Sequence, residues 1–319
     1  MSAVSSRDDG GAPGPRAFRR FIGIHLGGGR GKTTAVARLE IEDDGAGVRV
    51  VEARVRHGHR GGGETSQGEG GDPLFRDDVL VAYIERWLDD ATVVAINAPL
   101  TLPPCIRCQL ACPGVGACEV PVVAWMRQHA QALLGRQGRG DPHKPVVTPY
   151  TQRAVDVLLA HEDLHPRESL GQGMGPLAAR AAYLRRVLSP RLRLHENLLE
   201  VHPPATLVRV VGSALERGLR QSESERVWEL RKLVLTRIGD RLRFDYVWPE
   251  LVVRSPHVFD AVIAGYTAFL WASEGWWGPA DLVGAGATEP LREAVRALDL
   301  HWLEDGWIWT PPARGAGDV

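Results

Sequence analysis

Phe21-Ile-Gly-Ile-His-Leu-Gly-Gly-Gly-Arg-Gly-Lys-Thr33 is a short apolar run that breaks into a glycine-rich turn. Phe21 to Leu26 has the length and composition of a buried strand. Thr33 to Ile41 continues as a second, alternating strand with β-branched residues, and Val48 to Val55 reads as a third. Three strands joined by short turns make a meander, and the rest of the chain has to pack on it.

Outward from the meander, residues 57–73 hold many glycines and few apolar groups, which predicts a mobile loop. Asp77 to Leu88 carries Leu80, Ile84 and Leu88 at helical spacing. Thr92-Val-Val-Ala-Ile-Asn97 is continuously apolar up to its last residue, as suits a strand buried on both faces. Pro99, Pro103 and Pro104 forbid its continuation. Val120 to Leu134, Thr151 to Ala160 and Leu177 to Leu188 read as helices, with a Gly- and Arg-rich loop at 135–147. Asn197-Leu-Leu-Glu-Val-His202 is a short buried strand stopped by Pro203 and Pro204. Ala205 to Leu219 and Ser222 to Leu235 read as helices, Pro256 to Ala272 as the last helix, and Gly306-Trp-Ile-Trp-Thr310 as a final edge strand. This order predicts an α/β fold with a mixed sheet and flanking helices. One domain spans 20–312 with an insertion at 103–190. A Gly-, Ser- and Asp-rich tail at 1–19 is expected to be disordered, and a second tail covers 313–319.

The formal net charge of −1 over 319 residues removes any global field that would draw the chain to nucleic acid or an anionic membrane. No apolar run reaches the roughly 18 residues of a membrane helix, and the N-terminal residues lack the apolar stretch of a secretion signal. No membrane role is expected. A cytoplasmic, reducing location is, and there thiols stay available to metal.

All 4 cysteines lie in one stretch, Cys105-Ile-Arg-Cys108-Gln-Leu-Ala-Cys112-Pro-Gly-Val-Gly-Ala-Cys118. Four soft thiolates this close suit a tetrahedral Zn²⁺, with a [4Fe–4S] cluster as the alternative, echoed by Cys112-Pro113. An incidental redox pair is the plainer reading. Such a metal segment would pin an irregular loop against the end of the Ile96 strand.

Three further patterns are weaker. His161-Glu-Asp-Leu-His165 matches H-E-x-x-H, but Pro166 ends the helix that zinc-protease chemistry needs, so the match reads as coincidence. Gly27 to Thr33 resembles a phosphate loop, yet Leu26 stands where that motif needs glycine, and a strand follows instead of a helix. Backbone N–H groups of Gly28 and Gly29 could still cradle a phosphate, as hairpin turns do in actin-like ATPases and sugar kinases; a simple hairpin is the plainer alternative. Arg127, Arg136, Arg139, Lys144, Arg153, Arg167, Arg180, Arg185 and Arg186 concentrate basic charge that could meet phosphates or merely solvate helix faces. The abundant tryptophans, clustered towards the C-terminus, read as core and edge packing.

Five pieces, in order, resemble the family catalogued as domain of unknown function 429: Gly23-Ile-His-Leu-Gly-Gly-Gly29, Ala95-Ile-Asn-Ala-Pro-Leu100, Leu199-Glu-Val-His-Pro203, Phe259-Asp-Ala-Val-Ile-Ala-Gly-Tyr-Thr-Ala268 and Asp305-Gly-Trp-Ile-Trp309. The resemblance implies a ribonuclease H-like fold and a predicted nuclease, in which carboxylates hold two divalent metals astride a phosphodiester. At the four corresponding acidic positions this chain has His25, Asn97, Glu200 and Asp260. The two replacements suit Mg²⁺ poorly, because a hard ion prefers charged oxygen ligands. The implied function is a divergent, metal-dependent nuclease or phosphodiesterase using Mn²⁺ or Mg²⁺, acting on nucleic acid. Glu200, Asp260, His25 and Asn97 would form the centre, with Arg153, Gly28 and Gly29 on the substrate phosphate. Two rivals are a non-catalytic nucleic-acid-binding protein and an ATP-using phosphotransferase. Read from the residues alone, Glu200 needs either a metal or an arginine partner such as Arg153 or Arg180, and Asp260 also suits a helix N-terminus.

Overall fold

The three-stranded meander is present. β1 (Arg20–His25), β2 (Ala35–Ile41) and β3 (Val48–Arg54) run antiparallel in turn. The computed structural model describes residues 14–28, 33–55, 77–135, 145–221, 224–245, 247 and 249–313. The expected loop at 57–73, Gly29, and the basic residues Arg136, Arg139 and Lys144 lie outside that set.

After the meander, α1 (Asp77–Trp87) leads to β4 (Thr92–Asn97), which pairs parallel to β1. A short α2 (Pro104–Arg107) carries the first cysteine, and α3 (Pro121–Leu134), α4 (Ala154–His161) and α5 (Gly175–Leu188) follow. β5 (Leu198–Val201) then pairs parallel to β4. Beyond it come α6 (Pro203–Val211), α7 (Ser213–Gln221), α8 (Ser224–Arg237), β6 (Leu242–Phe244) and α9 (Pro249–Arg254). The chain closes with α10 (Pro256–Glu274), α11 (Glu289–Leu298), α12 (Trp302–Asp305) and β7 (Ile308–Trp309). The strands form one mixed sheet in the order β6-β3-β2-β1-β4-β5-β7.

Period-two alternation divides the strand side chains between two cores. Phe21, Val93, Ala95 and Leu199 face α10; Ile22, Ile24, Val94, Ile96 and Leu198 face α1 and α5. Apolar side chains fill both cores, so the middle strands are apolar throughout. α10 is apolar almost all round because it lies across the sheet and is covered from outside. Gly23 permits its close approach: a Cβ there would sit 2.0 Å from the Ala261 carbonyl oxygen and 2.3 Å from the Gly265 nitrogen.

The segment 103–190 serves both layers. α3 and α4 join the α10 core, with Trp125 Nε1 donating to the Ala294 carbonyl at 2.7 Å, while α5 packs on α1 across the sheet. The helix expected over 205–219 is two helices, because Gly212 takes φ 94° and turns the chain between them. β6, α9 and α11 go beyond the sequence reading. β6 is only three residues long and borrows its register from β3. Residues 16–18, read as part of a disordered tail, are held instead. Arg16 donates to the Trp271 and Trp276 carbonyls at 2.7 and 2.8 Å, at the carbonyl-rich end of α10, and Phe18 stacks on Trp271. Among the described residues, no helix is long and apolar enough to cross a membrane.

Candidate functional site

β1 and β4 are parallel neighbours in register, so their last residues, His25 and Asn97, stand side by side. Both belong to the face that meets α10. α10 begins at Pro256, fixed by the Ser255 hydroxyl accepting from the Val258 N–H. His257 and Asp260 therefore lie three residues apart on one face of its first turns. The helix end thus meets the strand ends. His25 Nδ1 lies 3.1 Å from Asp260 Oδ2, His25 Nε2 lies 3.1 Å from His257 Nδ1, and Asn97 Nδ2 lies 3.4 Å from His25 Nδ1.

One proton arrangement satisfies the two shorter contacts. His25 Nδ1–H donates to the Asp260 carboxylate, and its Nε2 accepts from His257 Nδ1–H. The lone pair then sits on His257 Nε2. In this tautomer the Asn97 amide serves best with its oxygen turned to His25, an orientation equivalent by rotation about χ2. Burial, reinforced by His25, holds the His257 imidazole below its ordinary value, while Asp260 opposes. His257 is therefore neutral at pH 7 and able to accept a proton.

His25, Asn97 and Asp260 border a cleft of about 330 Å³ that Glu200 and His202 also line, with Gly27, Gly28 and Thr33 on one side and Arg167 on another; His257 stands behind His25, outside that lining. The glycine turn has a firm shoulder. Arg180 donates to the Gly27 carbonyl at 2.7 Å and to Thr34 Oγ1 at 2.9 Å, and its other nitrogens grip Asp77. Gly28 faces open space, where an added Cβ would meet nothing within 4 Å. His202, in the last position before α6, is driven to about 4 mainly by burial, with Arg167 adding to the fall and Asp260 resisting it. It is neutral at pH 7 as well.

Glu200 belongs to the cleft wall, but its carboxylate is engaged behind it. Arg153 NH1 and NH2 donate to its two oxygens at 2.8 and 2.6 Å, and the Leu100 N–H donates at 2.8 Å. Arg153 is wholly buried and also bonds Asp156 and Thr101. Burial alone would favour a neutral guanidinium, but the two carboxylates outweigh it and keep Arg153 above its ordinary value. Glu200 is raised by burial, against the pull of Arg153 and the Leu100 N–H. This is the plainer of the two readings of Glu200. Arg153 correspondingly has no exposed face for a substrate phosphate. Of the basic side chains read as phosphate contacts, Arg167 lines the cleft, whereas Arg127 and Arg185 donate to backbone carbonyls.

The donor set does not fit two divalent metals. With Glu200 held by Arg153, Asp260 is the only carboxylate of the four positions left to the cleft, and it cannot offset four positive charges. Among the described residues, no group of three or more His, Cys, Asp or Glu side chains is arranged to hold a metal ion. That includes the cysteines, although all four line one cavity of about 560 Å³. Cys118 is buried, Cys105 and Cys108 are half-buried, and Cys112 is exposed. The thiol of Cys105 is raised by burial and further by the other three, as their closeness requires.

The H-E-x-x-H match is indeed spread apart. α4 stops at His161, whose ring bonds the Leu133 carbonyl and Thr288, while His165 is turned outwards at φ 39°. The site residues absent from the sequence reading are His257 and His202. The spacing of His257 to Asp260 on one helical face is the signal that points to the first of them. No family model, curated protein or solved structure matches the chain.

Proposed function

We propose that this chain is a divergent phosphodiester hydrolase of the nuclease class, built on a ribonuclease H-like scaffold. One observation carries the reading: Asp260, His25 and His257 form a hydrogen-bonded row, of which Asp260 and His25 line a cleft, although the row joins segments more than 200 residues apart. The scaffold reading is supported by an antiparallel meander extended by parallel strands, order β3-β2-β1-β4-β5, and by the ordered pieces that resemble the domain of unknown function 429 family.

In the proposed reaction His257 Nε2 removes a proton from a water that attacks phosphorus. His25 and Asp260 stabilise the resulting imidazolium through their hydrogen bonds. Arg167 and the Gly28 N–H meet the phosphate oxygens, and Asn97 holds the His25 ring in place. The leaving oxygen departs as the P–O bond breaks and takes a proton from solvent.

The test is cleavage of single- and double-stranded oligonucleotides, with and without Mn²⁺, by wild type and His25→Ala. Loss of roughly a hundredfold or more on His25→Ala is expected. Unaltered cleavage by that variant, or none by wild type under either condition, rejects the reading. Retention of nucleic acid without cleavage would instead favour the non-catalytic binding protein.

A second reading, an ATP-using phosphotransferase, is favoured by the glycine turn, since Gly27, Gly28 and Thr33 line the same cleft. Saturable ATP binding that Gly28→Val removes would select it.

A further inference from the structure

The cysteine segment stands apart from the hydrolase reading and can be tested without it. Residues 105–118 contain every cysteine of the chain, and all four sulfur-bearing side chains line the same cavity. The segment has little else to fold around. It contains all but the first residue of the four-residue α2 and a three-residue 3-10 turn, Val115–Ala117, and three of its apolar side chains point outwards: Ile106 is 49%, Leu110 73% and Val115 42% exposed. Short irregular segments of this kind need a cross-link to hold one shape.

The two ends of the segment are nonetheless fastened to the body. Cys105 N–H donates to the Pro149 carbonyl at 3.1 Å. Arg107 donates to Asp305 at 2.7 Å, Asp305 accepts from the Ala154 N–H at 2.7 Å, and Thr101 Oγ1 donates to the Asp305 carbonyl at 2.7 Å. At the other end Arg127 donates to the carbonyls of Val115 and Cys118 at 2.8 and 3.0 Å. What lies between, Leu110 to Gly114, is exposed and has neither helix nor strand. It carries Cys112.

We propose that Cys105, Cys108, Cys112 and Cys118 bind one Zn²⁺ as a structural centre, with Cys112 drawn in by the free stretch Leu110–Gly114. Four thiolates are the donor set that Zn²⁺ takes tetrahedrally, and the ion offsets charge that crowded thiolates otherwise oppose in one another. Gaps of three and five residues after the first pair differ from the shorter gaps of a ferredoxin-type run, which favours zinc over an iron–sulfur cluster. The ion would close the cavity and tie the segment, through Arg107 and Asp305, to Thr101 behind the cleft.

The experiment is metal analysis of the full chain purified under reducing conditions, with cobalt substitution and the variants Cys112→Ser and Cys108→Ser. Cys112 is exposed, so its replacement leaves the core intact. Expected results are about one zinc per chain, intense visible bands of tetrahedral cobalt thiolate, and loss of metal from Cys112→Ser to a chelator that leaves wild type loaded. A thermal midpoint lowered by exhaustive chelation in wild type, and unmoved in Cys112→Ser, completes the pattern. A metal-free chain that gives no cobalt bands overturns the proposal, as does metal content unaffected by either variant. A brown, iron-containing protein, or a mass showing the thiols paired as disulfides, overturns it equally.

Discussion

Gly23 on β1 and Gly265 on α10 meet backbone to backbone: a Cβ added at Gly265 would lie only 3.4 Å from the Gly23 nitrogen. That contact sets how deep α10 lies on the sheet, and hence how near Asp260 comes to His25. Gly23→Ala has no room, because the obstructing atoms are backbone. It should cost about 3 kcal/mol or prevent folding, whereas Gly28→Ala, facing open space, should leave the urea midpoint nearly unchanged. Equal midpoints for the two variants would refute the argument.

Arg153 answers two buried carboxylates, Glu200 and Asp156. Arg153→Met leaves both without their cation and should destabilise the fold by roughly 3–5 kcal/mol. Glu200→Gln leaves Arg153 paired with Asp156 and should lose only about 1–2 kcal/mol. Denaturant unfolding of the two variants measures the difference. The reverse ranking would mean that Glu200 has another partner.

Asp260→Asn keeps the shape of the side chain but removes the charge that orients the His25 proton. The proposed hydrolysis should fall about 10²–10⁴-fold with little change in thermal midpoint, since Asp260 and His25 are both partly exposed. A midpoint that falls together with the rate would make the pair structural.

Because His257 is held below its ordinary value, its protonation limb should lie under pH 6.5. Activity should rise with pH through that limb and be lost as pH falls through it. A profile of kcat/KM against pH with its acid inflection at or above about 7 would remove His257 as the base.

Stability has its own pH response. His202 titrates at about 4 and His195 at about 3 in the folded chain, both far below the ordinary 6.5. The unfolded chain therefore binds more protons than the folded one below pH 6.5, and stability declines as pH drops from about 6.5 towards 4. The His202 contribution levels off below its folded value. Thermal midpoints recorded across this range should fall, and His202→Gln should flatten part of the slope.

The strands were legible because their apolar runs are bounded by glycine or proline, and β4 could be read as central because it stays apolar until Asn97. The convergence of His25, Asn97 and Asp260 was legible through ordered sequence pieces, although nothing local brings them together. The fate of Glu200 was not decided by its own neighbours. A carboxylate in an apolar strand needs a partner, but whether metal or Arg153 depends on how α4 lies against the sheet, a long-range packing result. β6 escaped notice because three residues carry no periodicity. Residues 16–18 looked like tail because their order comes from carbonyls at the end of a helix some 255 positions away.

The sheet ends on both sides in stubs, three residues of β6 beyond β3 and two of β7 beyond β5. β6 covers only Val48–Val50 of β3, so a strand adding outside β6 would find three residues of ladder to copy, and one outside β7 two, too few to repay its ordering.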